Sequence, residues 1–226
     1  PFPTPVPTPA PTPNSNVRTR HDFDGDRKAD LVVFRPSNGT WYMNLSAGNF
    51  YQQQFGQDGD KPVSADYDGD GKSDPAVYRA GVWYRINSAT ATFEVMNFGV
   101  ASDIATPADF NGDGRADVAV FRPSTGQWFW HLSQGAGFFI FNFGVSGDVP
   151  MAGDYDGDGR ADIAVWRPSN GTWYSLNSTA GFAVTQFGAN GDIPVSGDFD
   201  GDARVDFAVW RPSNNTWYLL GGNSFS

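Results

Sequence analysis

Asp154-Tyr155-Asp156-Gly157-Asp158-Gly159-Arg160-Ala161-Asp162 places four carboxylates at positions one, three, five and nine of a nine-residue loop. Alone they repel one another, so the loop makes sense only around a hard cation. Calcium takes about six to eight oxygens at about 2.3–2.6 Å, from carboxylates, backbone carbonyls and water. Gly157 and Gly159 let the backbone curl tightly enough to converge the side chains. Arg160, at position seven, is expected to offer its carbonyl and turn its charge outward. The pattern starts again at Asp22, Asp66, Asp109 and Asp198, with spacings of 44, 43, 45 and 44 residues along the five loops. Five loops in register are a much stronger signal than one.

An EF-hand also begins D-x-D-x-D-G, but it needs a bidentate Glu at position twelve and a helix on either side. Here position twelve is Val33, Val77, Val120, Val165 and Val209 in turn. The flanks, such as Ala161-Asp162-Ile163-Ala164-Val165-Trp166, alternate and are β-branched, so they read as strand. These loops are not EF-hands.

The bulk numbers fit that reading. A chain of 226 residues can bury a large core, and a repeat array of this length can be one domain. Aromatics make up 15% of residues, which suits sheet interiors. No cysteine is present, so neither a disulfide framework nor thiol chemistry is available, and something else must tie the loops down. Phe138 to Phe143, the longest apolar stretch, is broken by Asn142 and is too short to span a membrane. No signal peptide is visible, so a mature or excised form is expected. The net charge of −10 argues against nucleic acid, where a basic patch is expected. Nineteen of the 25 acidic residues occupy ligand positions of the loops, the twentieth position being Asn111. Up to five calcium ions would cancel that charge. Without them the crowded carboxylates raise one another's pKa and oppose folding, so calcium binding and folding are expected to be linked.

Residues 1–16, PFPTPVPTPAPTPNSN, stand apart. They read as an extended Pro/Thr linker of a secreted protein, or as a docked edge strand. In the second reading, proline at alternate positions deletes the donors on one side only, which protects the edge. From Val17 to Ser226 each unit reads as four short strands. In the fourth repeat these are Val149–Tyr155, Asp162–Arg167, Thr172–Leu176 and Phe182–Phe187, with an Asn-Gly turn between the second and third. The turn recurs at Arg35–Thr40, Arg122–Gln127 and Arg211–Thr216, and is shortened at Arg79–Val82. The fourth strand ends in Phe-Gly at Phe55, Phe98, Phe143 and Phe187. An Asp then stands six residues before the next loop, at Asp60, Asp103, Asp148 and Asp192. A period near 44 with four strands per unit predicts an all-β protein, a β-propeller of five four-stranded blades. The fifth unit lacks a second Phe-Gly, so the expected outer strand of its blade is missing or very short; the proline tail could fill that edge in its own molecule or in a neighbour.

At these residues the chain resembles the FG-GAP/VCBS repeat family, to which the integrin α-chain propellers belong; the resemblance covers residues 17–226. It implies that each loop joins the first two strands of a blade and binds calcium through positions one, three, five and nine and the carbonyl of position seven. The implied ligands are Asp22, Asp24, Asp26, Lys28 and Asp30 in loop 1, and Asp66, Asp68, Asp70, Lys72 and Asp74 in loop 2. Loop 3 would use Asp109, Asn111, Asp113, Arg115 and Asp117; loop 4, Asp154, Asp156, Asp158, Arg160 and Asp162; loop 5, Asp198, Asp200, Asp202, Arg204 and Asp206. Family propellers commonly have seven blades, so five repeats either close a small ring or belong to something longer. Loops 1 and 5 carry Arg27 and Ala203 where the others have glycine, which makes them the weakest sites if that position needs a positive φ.

The loops read as structural clamps with their coordination filled by loop and water, rather than as bridges to a ligand. Trp41, Trp83, Trp128, Trp173 and Trp217 could stack on sugar rings, but their fixed place in the repeat favours packing between blades. Trp130, Trp166 and Trp210, which do not recur in every repeat, divide in the same way. Arg35, Arg79, Arg122, Arg167 and Arg211 are expected to hold the recurring Asp residues rather than an external anion. Catalysis finds little support: His21 and His131 lie in unrelated repeat positions, and no Ser has a nucleophile motif. The expected protein is an extracellular, non-catalytic, calcium-clamped propeller used for adhesion or protein interaction at a cell surface. Alternatives are a glycan-binding, lectin-like module, and a filament subunit that joins copies of itself through residues 1–16.

Overall fold

The computed structural model describes residues 21–135 and 137–221. It is an array of five antiparallel sheets, each a simple up-and-down meander in chain order. Blade 1 holds β1 (Leu31–Arg35), β2 (Thr40–Asn44) and β3 (Phe50–Gln54). Blade 2 holds β4 (Lys61–Pro62), β5 (Ala76–Arg79), β6 (Val82–Ile86) and β7 (Phe93–Asn97); blade 3 holds β8 (Ile104–Ala105), β9 (Val118–Arg122), β10 (Gln127–His131) and β11 (Phe138–Asn142). Blade 4 holds β12 (Val149–Pro150), β13 (Ile163–Arg167), β14 (Thr172–Asn177) and β15 (Gly181–Gln186), and blade 5 holds β16 (Ile193–Gly197), β17 (Asp206–Arg211) and β18 (Thr216–Leu219).

Blades 2, 3 and 4 have four strands as expected, blade 5 has three among the described residues in line with its missing second Phe-Gly, and the expected first strand of blade 1 begins outside the described residues. One expectation about strands needs correction. The innermost strand of blade 4, expected over 149–155, shrinks to two paired residues plus an isolated bridge between Gly153 and Asp162. The chain leaves the ladder there because the loop that follows turns its backbone N–H groups onto carboxylates instead of onto a neighbouring strand. The proposed edge strand over 1–16, the start of the first repeat at 17 and the end of the fifth repeat lie outside the described residues.

The repeated turn and the Phe-Gly pair fold against each other. Gly171 has φ +62°, and a Cβ there would sit 2.3 Å from the Gly188 carbonyl oxygen, so only glycine fits. The Phe187 N–H donates to the Gly171 carbonyl at 3.0 Å, and the Trp173 indole N–H donates to the Phe187 carbonyl at 3.0 Å. Blades 1, 2 and 3 repeat the indole bond, from Trp41 to Phe55, Trp83 to Phe98 and Trp128 to Phe143. Turn, tryptophan and Phe-Gly are thus one locking device, with every polar group buried in it satisfied.

The cores lie between blades. Trp41 and Met43 of blade 1 pack on Val77 of blade 2; Tyr78 and Trp83 on Val118 and Val120; Phe121 and Trp128 on Ile163 and Val165; Trp166 and Trp173 on Val209. Each blade lays its aromatic face on the aliphatic face of the next.

Candidate metal centres

In blades 2 to 5 the acidic loop connects the innermost strand to the next strand, and in blade 1 it leads into β1. Inside a loop, the position-one carboxylate accepts the N–H groups of positions four and six. In loop 4 these are Gly157 to Asp154 at 2.6 Å and Gly159 to Asp154 at 2.8 Å. The position-five carboxylate accepts from position seven, as in Arg160 to Asp158 at 2.9 Å. The position-nine carboxylate reaches back to position two, as in Tyr155 to Asp162 at 2.8 Å. Loops 1, 2, 3 and 5 repeat all of these bonds. Such side-chain-to-backbone bonds fix the curl locally, whatever lies around it.

The donor set suits a hard cation. Asp22, Asp24 and Asp30 bring one oxygen each within 4.8 Å of one another, and so do Asp66, Asp68 and Asp70; Asp154, Asp156 and Asp162; and Asp198, Asp200 and Asp206. In loop 4, Asp156 Oδ1 is buried without a hydrogen-bond partner. In the other four loops the corresponding oxygen accepts the position-five N–H, at 3.0–3.2 Å. An orphaned anionic oxygen beside two further carboxylates is what a divalent cation would satisfy. Loop 3 differs. Asn111 stands at position three, its amide donates to Asp113 at 3.1 Å, and no such trio forms there among the described residues. Lys28, Lys72, Arg115, Arg160 and Arg204 hold position seven as expected, where their carbonyls would serve.

Electrostatics point the same way. Burial pushes the Asp74, Asp117 and Asp162 carboxyls up to about 6; their neighbours Asp68, Asp109 with Asp113, and Asp156 add to the rise, and N–H bonds from Ser88, Ser133 and Ser178 oppose it. Asp109 and Asp206 are also raised, chiefly by burial. The sixth position carries positive φ in every loop: Gly71 +94°, Gly114 +82°, Gly159 +86°, but also Arg27 +68° and Ala203 +75°. The two non-glycine loops therefore hold a conformation that side chains disfavour.

One set of functional residues escaped the sequence reading. The N–H groups of Ser46, Ser88, Ser133 and Ser178 donate to the position-nine carboxylates at 2.6–2.7 Å, and their hydroxyls donate to the position-five carboxylates. Loops 1 to 4 thereby each grip the hairpin that leads to the outer strand of the blade. The signal is present in the sequence as a serine 14 or 16 residues after the ninth Asp. It is too sparse to be recognised without the contact.

Trp41, Trp83, Trp128 and Trp173 are only 0–2% exposed, which removes them as sugar-stacking platforms and confirms their packing role. Trp217 is half-buried. Among the others, Trp166 is buried beside Trp173, while Trp130 and Trp210 are half-buried. The arginines hold their aspartates as expected, each through two bonds: Arg79 to Asp60, Arg122 to Asp103, Arg167 to Asp148 and Arg211 to Asp192, at 2.5–2.9 Å. Each guanidinium also lies 4.4–4.6 Å over an aromatic ring, Tyr84, Phe129, Tyr174 or Tyr218. Paired in this way they are braces rather than an anion site. Arg35 lies over Tyr42 and has no carboxylate among the described residues. His21 meets the Ser64 hydroxyl at 3.1 Å and His131 the Leu132 carbonyl at 2.9 Å, in different blades.

Loop, brace, tryptophan lock and Phe-Gly recur together, and sequence comparison finds the same unit. The FG-GAP-like repeat matches residues 22–77, 109–165 and 154–209, more than half of the chain. The chain belongs to the FG-GAP-like repeat family. No curated protein sequence matches it. Among solved structures, an FG-GAP-like array of this kind is similar to a streptogramin B lyase at 11% identity, over 96% of this chain and 70% of the lyase, with a TM-score of 0.58. It is similar to an Agrocybe aegerita lectin specific for non-reducing terminal N-acetylglucosamine at 18% identity, over 82% of this chain and 57% of the lectin, TM-score 0.55. A Bacteroides caccae protein of unknown function gives 12% identity, 84% and 68% coverage, and 0.54. The chain thus spans 57–70% of the length of these three, and at such identities the likeness is one of fold. Among the described residues no helix is long and apolar enough to cross a membrane.

Proposed function

We propose that this FG-GAP-like propeller is a non-catalytic, calcium-stabilised module that works outside the cell and binds protein at a cell surface. Calcium is assigned the role of clamp, held by positions one, three, five and nine and the carbonyl of position seven in each loop. The bound ion would offset half of the carboxylate charge of a four-Asp loop, and the serine contacts would carry that order to the outer hairpin. The observation that carries the binding part is the outer edge of blade 3. Phe138, Phe139, Ile140 and Phe141 are all exposed, on a strand whose outer edge is unpaired among the described residues. Exposed apolar side chains on both faces of an outer strand favour an interaction site, and an open edge can take a further strand.

Two measurements test this. Titration of the chelator-stripped chain with calcium chloride should show saturable binding of more than one ion per chain, and its absence removes the clamp. Beads coated with the calcium-loaded chain should adhere to cell surfaces and lose adhesion when those cells are treated with protease or when the coat carries Ile140→Lys. Adhesion lost to glycosidase instead would favour the glycan reading, which the lectin-like fold keeps open although four of the five recurring tryptophans are buried. No adhesion under any condition overturns the proposal.

A further inference from the structure

The four junctions between blades follow one rule. The position-one backbone carbonyl of each loop accepts the N–H of position eight in the next loop: Ser73 to Asp22, Ala116 to Asp66, Ala161 to Asp109 and Val205 to Asp154, at 2.6–2.7 Å. The position-four glycine of each loop lies under the position-seven side chain of the next, so a Cβ on Gly25, Gly69, Gly112 or Gly157 would come within 2.9–3.1 Å of Lys72, Arg115, Arg160 or Arg204. The position-twelve valine of the later blade is then sealed, and Val77, Val120, Val165 and Val209 are all 0% exposed.

Among the described residues, both ends of the array keep these features without using them. On blade 1, Val33 is 60% exposed and Leu31 73%, and the Lys28 side chain is 72% exposed. On blade 5, nothing lies within 4 Å of a Cβ on Gly201, Phe199 is 47% exposed, and the Asp198 carbonyl has no backbone donor among the described residues. The two faces are not self-complementary. They complement each other, through the contacts already made four times inside the chain.

We infer that the occupant of each end is a second copy of this chain, joined head to tail, with blade 1 of one molecule seated on blade 5 of the next. Lys28 would cover Gly201, the Ala29 N–H would meet the Asp198 carbonyl, and Val33 with Leu31 would close over the aromatic end of blade 5. A second copy carries both halves of that junction by necessity, and the join is continuous with an interface the fold already builds. Such heterologous contacts give a closed ring or an open helical array according to the rotation per step. This join does not involve residues 1–16.

The test uses the full chain in calcium, followed by analytical ultracentrifugation over a concentration series. Wild type should sediment above monomer mass, increasingly so with concentration. Val33→Asp and Phe199→Asp, both at exposed positions and checked for folding by circular dichroism, should each be monomeric alone. Mixed together they should give a dimer and nothing larger, because each retains one intact end. Deleting residues 1–16 should leave association unchanged. Monomeric wild type, association that survives Val33→Asp, a mixture that stays monomeric, or association lost with residues 1–16 would each overturn the head-to-tail join.

Discussion

Loops 4 and 5 have nearly the same sequence and share the internal hydrogen bonds of their first, fifth and ninth carboxylates, yet they sit in different surroundings. Asp154 and Asp198 each accept from positions four and six, and Asp162 and Asp206 each accept from position two. Loop 4 is covered by its successor: Val205 donates to the Asp154 carbonyl, Arg204 lies over Gly157, and Tyr155 stacks on Phe207 with centroids 5.0 Å apart. Loop 5 has no such cover among the described residues. The consequence appears in the ninth carboxylate, which is buried and pushed up to about 6 at Asp162 but half-buried and less perturbed at Asp206. The motif fixes the curl of the loop. The neighbouring blade fixes how much free energy a cation can release by entering it.

Removing calcium gives the largest effect. A site at about a hundred times its Kd contributes about 2.7 kcal/mol, and in a domain of this size each kcal/mol moves the thermal midpoint by about 2–4 °C. Two or three well-covered sites should therefore lower the midpoint by about 10–30 °C when chelator replaces calcium, measured by scanning calorimetry at low salt. An unchanged midpoint would mean that the loops are not clamps.

Substitution of the ninth carboxylate separates the two loops. In calcium, Asp162→Asn should cost about 3 kcal/mol, since a buried charged acceptor of the Tyr155 and Ser178 N–H groups is weakened along with the ion. Asp206→Asn should cost about 1 kcal/mol or less. In chelator the gap should nearly close, because burial already favours the neutral form at Asp162. Equal costs in calcium would show that cover by the next loop does not matter.

Acidity probes the same contrast from the other side. Asp74, Asp117 and Asp162 have folded pKa values raised to about 6 from an ordinary 3.8, so the folded chain holds more protons than the unfolded one between those values. Their contribution to stability is complete below the unfolded pKa and is lost as pH rises through about 6. The calcium-free chain should therefore become more stable from pH 7 to pH 5, while the calcium-loaded chain becomes less stable as protons displace the ion. Parallel slopes in the two titrations would refute the assignment.

The fold was legible because its determinants are local and repeated. The five loops, the turn and Phe-Gly each carry their own backbone instructions, and the recurrent spacing ordered them into blades. The Arg–Asp braces could be anticipated because their chemistry leaves few alternatives. What stayed hidden depends on contacts between units. Ser46, Ser88, Ser133 and Ser178 look like ordinary hairpin residues until the hairpin folds over the carboxylates. The tryptophans' fixed place in the repeat already favoured packing over sugar stacking, but did not reveal that Phe-Gly supplies an acceptor for the indole. Val33 and Val165 are the same residue at the same repeat position, and only the presence or absence of a preceding blade makes one exposed and the other buried.

The smallest effect concerns the sixth position, where Gly159 has φ +86° and Ala203 φ +75°. A side chain in this left-handed region costs about 1 kcal/mol, less what alanine saves by restricting the unfolded chain. Ala203→Gly should therefore stabilise the protein by about 0.5 kcal/mol, and Gly159→Ala should destabilise it by about the same amount. The N–H of either residue still bonds the first carboxylate, at 3.0 Å in loop 5 and 2.8 Å in loop 4, so the exchange isolates backbone strain from hydrogen bonding. Ala203 is a cleaner probe than Arg27 (φ +68°), whose long side chain changes charge as well as strain. The gain should appear with calcium and without it, because the loop holds its curl through its own hydrogen bonds. If Ala203→Gly helps only in calcium, loop 5 adopts that curl only around the ion, and the difference between the two loops lies in preorganisation rather than in cover by the next blade.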